Sequence, residues 1–96
     1  MEHNEISHHE VSIFLVMSKN KQRWFTSKEI ANESGVAPRT ARAHCLNLVR
    51  LGLLDQAKVF PAHRYRWAEK ADKRNIGYLQ RLELAAEVFR PHQSIA

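Results

Sequence analysis

The sequence has one cysteine, Cys45, and only three glycines and three prolines in 96 residues. A single thiol cannot build an internal disulfide framework, which excludes a small stapled secreted scaffold. No apolar run approaches the roughly 20 residues that a membrane span needs. The start Met-Glu-His-Asn-Glu is acidic and has no apolar stretch before Ile6, so it does not read as a signal peptide. A Gly-rich phosphate loop, a Ser/His/Asp arrangement and paired carboxylates are all missing, so nothing points to an enzyme. Six histidines invite a metal reading, but His8-His9 and His44-Cys45 are adjacent pairs without the i, i+4 spacing that converges on one ion. The expectation is a reduced, cytoplasmic protein with no metal, no cofactor, no small-molecule ligand and no membrane partner.

The chain suffices for about one domain and no second core. With 44% hydrophobic and 26% charged residues, its composition is that of a globular domain rather than a disordered tail. Acidic residues are nearly absent from the middle third. Residues 1–37 carry four Lys or Arg against five Asp or Glu, and residues 68–96 carry five against four. Residues 38–67 carry Arg39, Arg42, Arg50, Lys58, Arg64 and Arg66 against Asp55 alone, so the whole excess of +5 lies there. A basic excess confined to one segment is the electrostatic footprint of a polyanion partner, against the competing reading of a solvated basic face.

The chain divides into elements by its start and stop signals. Ser7 and Glu10 form a capping box, with Ile6 and Val11 as a hydrophobic staple, and the helix they open carries Val11, Phe14, Leu15 and Met17 to near Asn20. Residues 18–23 are polar and read as a loop, and Trp24-Phe25 reads as a short strand. The box repeats at Thr26 and Glu29, opening a short helix from Ser27 to Ser34 that Gly35 stops. Pro38 suits the first position of the next helix, which runs to about Leu51 with Ala41, Cys45 and Leu48 along its inner side. Leu53–Val59 and Arg64–Ala68 read as strands around Phe60-Pro61-Ala62-His63, with Tyr65 and Trp67 alternating with Arg64 and Arg66. Helical spacing returns from about Lys70 to Phe89, and Pro91 ends it.

Two helices joined by a short Gly-containing turn are a helix-turn-helix arrangement. Thr26-Ser27-Lys28-Glu29-Ile30-Ala31, Ser34-Gly35-Val36-Ala37, Arg39-Thr40-Ala41-Arg42 and Leu48-Val49-Arg50-Leu51-Gly52-Leu53-Leu54 together resemble a winged helix-turn-helix domain. The resemblance is to bacterial transcription regulators of the MarR, ArsR and GntR sort, and it covers about residues 8–68. It implies a mainly α fold with a small β-hairpin and a long C-terminal helix. In this division residues 1–68 are the DNA-binding domain, 69–90 a dimerisation helix and 91–96 a flexible tail. Ala31 stands where the family carries a small residue between its two helices. Ala37 replaces the usual Ser or Thr cap of the recognition helix, and Pro61 replaces the glycine of the wing tip.

The residues of a DNA interface follow from this placement. With Ala41, Cys45 and Leu48 inward, Arg39, Ala43 and Arg50 face out, Thr40 and Asn47 flank that face on one edge, and Arg42 on the other. Arg to guanine and Asn to adenine are the bidentate pairings of the major groove, and the N-terminal residues of a recognition helix enter deepest. In the wing, Lys58, His63, Arg64 and Arg66 are candidates for backbone or minor groove, unless Arg64 and Arg66 merely keep an exposed strand face soluble. Thr26, Ser27 and Lys28 begin the helix that crosses the backbone. The arginines of the third helix and of the hairpin are expected on a single side. Ile76, Leu79, Leu82, Ala86 and Phe89 form one stripe, which either packs on its own domain or pairs with a twin; regulators of this type commonly dimerise through terminal helices.

The function expected is a sequence-specific, double-stranded-DNA-binding regulator, a repressor acting as a homodimer, from a bacterium, plasmid or phage. Two alternatives stand beside it. One is an accessory factor for replication, partition or recombination of a mobile element. The other is a winged helix used as a protein-interaction module.

Overall fold

A computed structural model describes residues 6–89. In chain order these form α1 (His8–Lys19), β1 (Phe25–Thr26), α2 (Ser27–Ser34), α3 (Pro38–Arg50), β2 (Leu54–Ala57), β3 (Arg64–Trp67), α4 (Ala71–Arg74) and α5 (Ile76–Val88). The architecture is a winged helix: α1, α2 and α3 pack against one another, and a small antiparallel sheet closes one side. The tail expected at residues 91–96 lies outside the described residues.

The two start signals behave differently. At α2 both arms of the box form: Glu29 N donates to Thr26 Oγ1 at 3.1 Å and Thr26 N donates to Glu29 Oε1 at 2.9 Å. At α1 only one arm forms, with Glu10 N donating to Ser7 Oγ at 3.2 Å. The Glu10 side chain turns inward instead, is only 5% exposed, and accepts a hydrogen bond from the Tyr78 hydroxyl of α5. Water can serve the exposed backbone at Ser7, whereas a buried carboxylate must find a donor within the protein. Burial first, then the Glu10 hydrogen bond and charge, push the Tyr78 hydroxyl well above its ordinary value of 10.0.

α3 has two faces of opposite character. Ala41, Cys45 and Leu48 are buried in the core shared with Ile13, Met17 and Ile30, and Pro38 opens the helix with no side-chain cap from Ala37. Gly35 (φ 78°) ends α2 with its N–H on Ala31 O, and Gly52 (φ 87°) lets the chain leave α3 so that Leu53 N reaches Leu48 O at 3.0 Å. Both glycines occupy the left-handed region that other residues enter at a cost.

The sheet has three strands, in the order β1-β3-β2, so the expected hairpin gains β1 as a third member. Phe25 pairs with Tyr65 and Thr26 with Arg64 on one side of β3; Leu54 pairs with Trp67 and Ala57 with Arg64 on the other. Phe25, Leu54, Tyr65 and Trp67 turn inward, and the Trp67 ring lies 5.7 Å from that of Phe14. β2 stops at Ala57 rather than at Val59, which leaves residues 58–63 as the connecting loop.

The single C-terminal helix expected from Lys70 to Phe89 is in fact two. Asn75 (φ −156°, ψ 68°) breaks it; its Oδ1 accepts from Tyr78 N at 3.2 Å and its Nδ2 donates to Leu51 O at 3.3 Å. An asparagine that caps a new helix and ties it to the end of α3 stabilises the bend more than continued helix would. The bend returns α5 to α1. Leu79 and Leu82, two residues of the expected dimer stripe, are therefore buried in the chain's own core, with Ala86 half-buried beside them. Ile76 and Phe89 remain exposed, as do Leu84 and Val88 on the outer side of α5.

Two glycine substitutions should have opposite signs. A Cβ at Gly52 would meet Arg74 Cβ at 3.1 Å on a positive-φ backbone, so Gly52→Ala is expected to cost about 1–3 kcal/mol. A Cβ at Gly77, inside α5, meets nothing within 4 Å, so Gly77→Ala is expected to stabilise by about 0.4–1 kcal/mol. Urea unfolding midpoints of the two variants would check both signs.

Candidate nucleic-acid interface

The outward face of α3 is built by the burial of its inward one. Arg39, Ala43, Leu46 and Arg50 are exposed and fall on one line of the helix, at spacings of four, three and four residues. Thr40 and Asn47 are half-buried along one edge, and Arg42 is exposed along the other. Leu46, 38% exposed, is the member of this face that the sequence reading passed over. Its position seven residues after Arg39 was the available signal.

Beside α3 lies a cleft of about 260 Å³, lined by Ser27, Arg42, Pro61, Ala62, His63 and Tyr65. Three elements meet there: the first turn of α2, the exposed edge of α3 and the β2–β3 loop. The volume is below the roughly 300–1,000 Å³ of small-molecule pockets, but it accommodates a phosphate group. Gln56 Nε2 stands 3.4 Å from both His63 Nδ1 and Tyr65 Oη, which ties the loop to the sheet behind it. Burial raises the Tyr65 hydroxyl above its ordinary value, while the Gln56 hydrogen bond and the nearby Arg42 charge oppose that rise.

The hairpin cations divide between two faces. His63 shares the cleft with Arg42. Arg64 and Arg66 alternate with the buried Tyr65 and Trp67, and so project from the other side of the sheet. Arg64 lies beside Thr26, the cap of α2. The Arg66 guanidinium sits 4.3 Å above the Trp24 ring, in a recess with Lys21, Gln22 and Glu69. The expectation that all these arginines share one side is therefore corrected: a period-two strand that buries its rings must send its arginines away from α3. Lys58 is exposed at the start of the loop and Lys28 on α2, and Thr26 is occupied as a cap.

Charge pairing leaves this region strongly positive. Among the described residues the ion pairs are Arg23–Glu33 at 3.3 Å and Arg74–Asp55 at 3.2 Å. Asp55, the one carboxylate of residues 38–67, is thus engaged by a cation from outside that segment. Arg39, Arg42, Arg50, Lys58, Arg64 and Arg66 have no carboxylate partner among the described residues. No group of three metal-ligating side chains stands together among the described residues, and no described helix is long and apolar enough to cross a membrane. Cys45 is fully buried, and burial pushes its thiol from 9.0 up to about 12.

The chain is similar in structure to several solved proteins. The transcriptional regulator BldR of Sulfolobus solfataricus is 20% identical, with 88% of this chain and 56% of that one covered at a TM-score of 0.60. Sso10a-2, a DNA-binding protein of Sulfolobus solfataricus, is 13% identical, with 88% and 86% covered at 0.58. A MarR family protein from Bacillus stearothermophilus is 16% identical, with 94% and 63% covered at 0.52. The chain therefore spans just over half of BldR and less than two thirds of the MarR family protein. No family model and no curated protein matches the sequence. At these identities the likeness shows the winged-helix fold.

The buried hydroxyls and thiol make stability depend on alkaline pH. The unfolded chain gives up the Cys45 proton near 9.0 and the Tyr65 and Tyr78 protons near 10.0, whereas the folded chain holds all three to higher pH. The folded state then binds more protons, so stability is fully present below about pH 9 and falls as pH rises beyond it. Urea midpoints measured from neutral to alkaline pH should be level and then decline, and Cys45→Ala should delay the onset of the decline.

Proposed function

We propose that this chain is a sequence-specific double-stranded-DNA-binding transcriptional regulator. The observation that carries the reading is the cleft where Arg42 of α3, Ser27 of α2 and His63 of the loop converge beside an exposed, acid-free helix face. A duplex would lay one phosphate strand over Ser27 and His63 at the rim of that cleft, leaving Arg42 free to reach with Arg39, Thr40, Ala43 and Asn47 into its major groove. Arg39 and Arg42 can pair with guanine, Asn47 with adenine, and Ala43 and Leu46 can meet a thymine methyl group. Ser27, Lys28, Arg50 and Lys58 then serve phosphates, which supply most of the affinity but no sequence choice. The similar folds of a transcriptional regulator and of a DNA-binding protein support the same partner.

The action we infer is repression by occupancy: a protein seated over the major groove through α3 excludes other proteins from the same stretch of duplex. The second copy expected of such a regulator would pair through the outer side of α5, where Leu84 is 67% and Val88 77% exposed. Leu79 and Leu82 are closed to it. A twofold protein would then read a pseudo-palindromic site.

Selection from a pool of random duplexes tests the DNA reading directly. A recovered consensus, with log affinity falling against log salt by about 0.9 per phosphate contacted, is the expected result. Arg39→Ala and Arg42→Ala are each expected to cost about 1–3 kcal/mol and to relax one position of that consensus. Unchanged affinity in both variants would remove α3 as the reading element. The dimer has its own check: light scattering should give twice the chain mass, reduced to one chain by Leu84→Glu with Val88→Glu.

A further inference from the structure

Phe60 is 96% exposed, more than any other large hydrophobic among the described residues, and Val59 beside it is 44% exposed. Single exposed apolar side chains are ordinary on protein surfaces, so exposure alone assigns nothing. Three further features concern where this ring stands. It sits in the loop between β2 and β3, and the next residue, Pro61, already lines the cleft that holds Arg42. Residues 56–68 contain no carboxylate, and Lys58, His63 and Arg64 bracket the ring. Finally, Gln56 braces the loop from behind through His63, so the ring is carried on a supported base.

We propose that Phe60 is a wedge that enters the DNA minor groove, partly unstacks one base step and kinks the duplex. The inference rests on the DNA-binding reading given above and adds to it a deformation and its agent. With α3 in the major groove and a phosphate strand at the rim of the cleft, a loop on the far side of that cleft has crossed the backbone. The surface it meets there is the minor groove. Lys58 and His63, on either side of Phe60 in the loop, can meet the flanking phosphates, and the apolar tip needs an apolar contact. In a duplex that contact is the face of a base, which is reachable from the groove only by opening a step. Phe and Pro are among the side chains that act in this way, with kinks of about 20–90° toward the major groove. Pyrimidine–purine steps open most readily, so TA or CA/TG is expected in the selected sites where the loop falls.

The probe is the duplex recovered from the random pool, labelled at its ends for energy transfer and carrying 2-aminopurine at successive positions. The native protein should shorten the end-to-end distance and brighten 2-aminopurine at one step outside the α3 contacts. Phe60→Ala, which removes only an exposed ring, should still bind but lose both signals, with affinity about tenfold weaker. Phe60→Trp should restore them. Equal bending and equal brightening by the native protein and Phe60→Ala would overturn the wedge and leave DNA reading by α3 intact. A fall in solution mass on Phe60→Ala, with bending unchanged, would assign the ring to a contact between copies and overturn it also. Absence of duplex binding by the native protein would end both this inference and the reading beneath it.

Discussion

The burial of one line of side chains on α3 organises everything else. Ala41, Cys45 and Leu48 lie in the core, so the same helix must present Arg39, Ala43, Leu46 and Arg50 to solvent. A helix has one rotational setting, and fixing its inner side fixes its outer side. The two small residues in that inner line permit close approach to α1 and α2, and Gly52 releases the chain into the sheet at a left-handed turn. The loop that carries His63 can then return to the exposed edge of α3. The cleft between them is a consequence of core packing rather than of attraction between its basic linings.

Electrostatics follows from the same arrangement. Six cations are held within 30 consecutive residues, and their one acidic neighbour in sequence is drawn away by Arg74. That leaves uncompensated positive charge to be met by an outside partner or by solvent counterions. The charge does not form a single plane. Arg66 rests on Trp24, on the other face of the sheet, apart from the cleft beside α3. A histidine, not an arginine, is the hairpin's contribution to the cleft.

Much of this was legible in residue order because the signals are local. Thr26 with Glu29, Gly35, Pro38 and Gly52 punctuate the chain through backbone geometry that depends on immediate neighbours. The alternation of Arg64, Tyr65, Arg66 and Trp67 likewise marks a strand with one buried face, and the period already contained the separation of its arginines from α3. Asn75 was harder to read. Within an apolar stripe of helical period it looks like a tolerated polar residue, and only its reach to Leu51, 24 positions earlier, makes it a cap and a bend. Glu10 misled for the same reason, since its long-range partner Tyr78 outweighs the adjacent backbone N–H.

Sequence by itself determined the helices α1 to α3, their stops, the inner line of α3 and the confinement of basic charge to the middle of the chain. These depend on spacing, capping and composition, which operate over a few residues. Tertiary structure alone decided that the C-terminal helix breaks and folds back, that Leu79 and Leu82 belong to the core, that β1 joins the hairpin, and that Asp55 is neutralised by Arg74. Each of those outcomes is a competition between partners distant in the chain, settled by which contact survives when water is excluded from both.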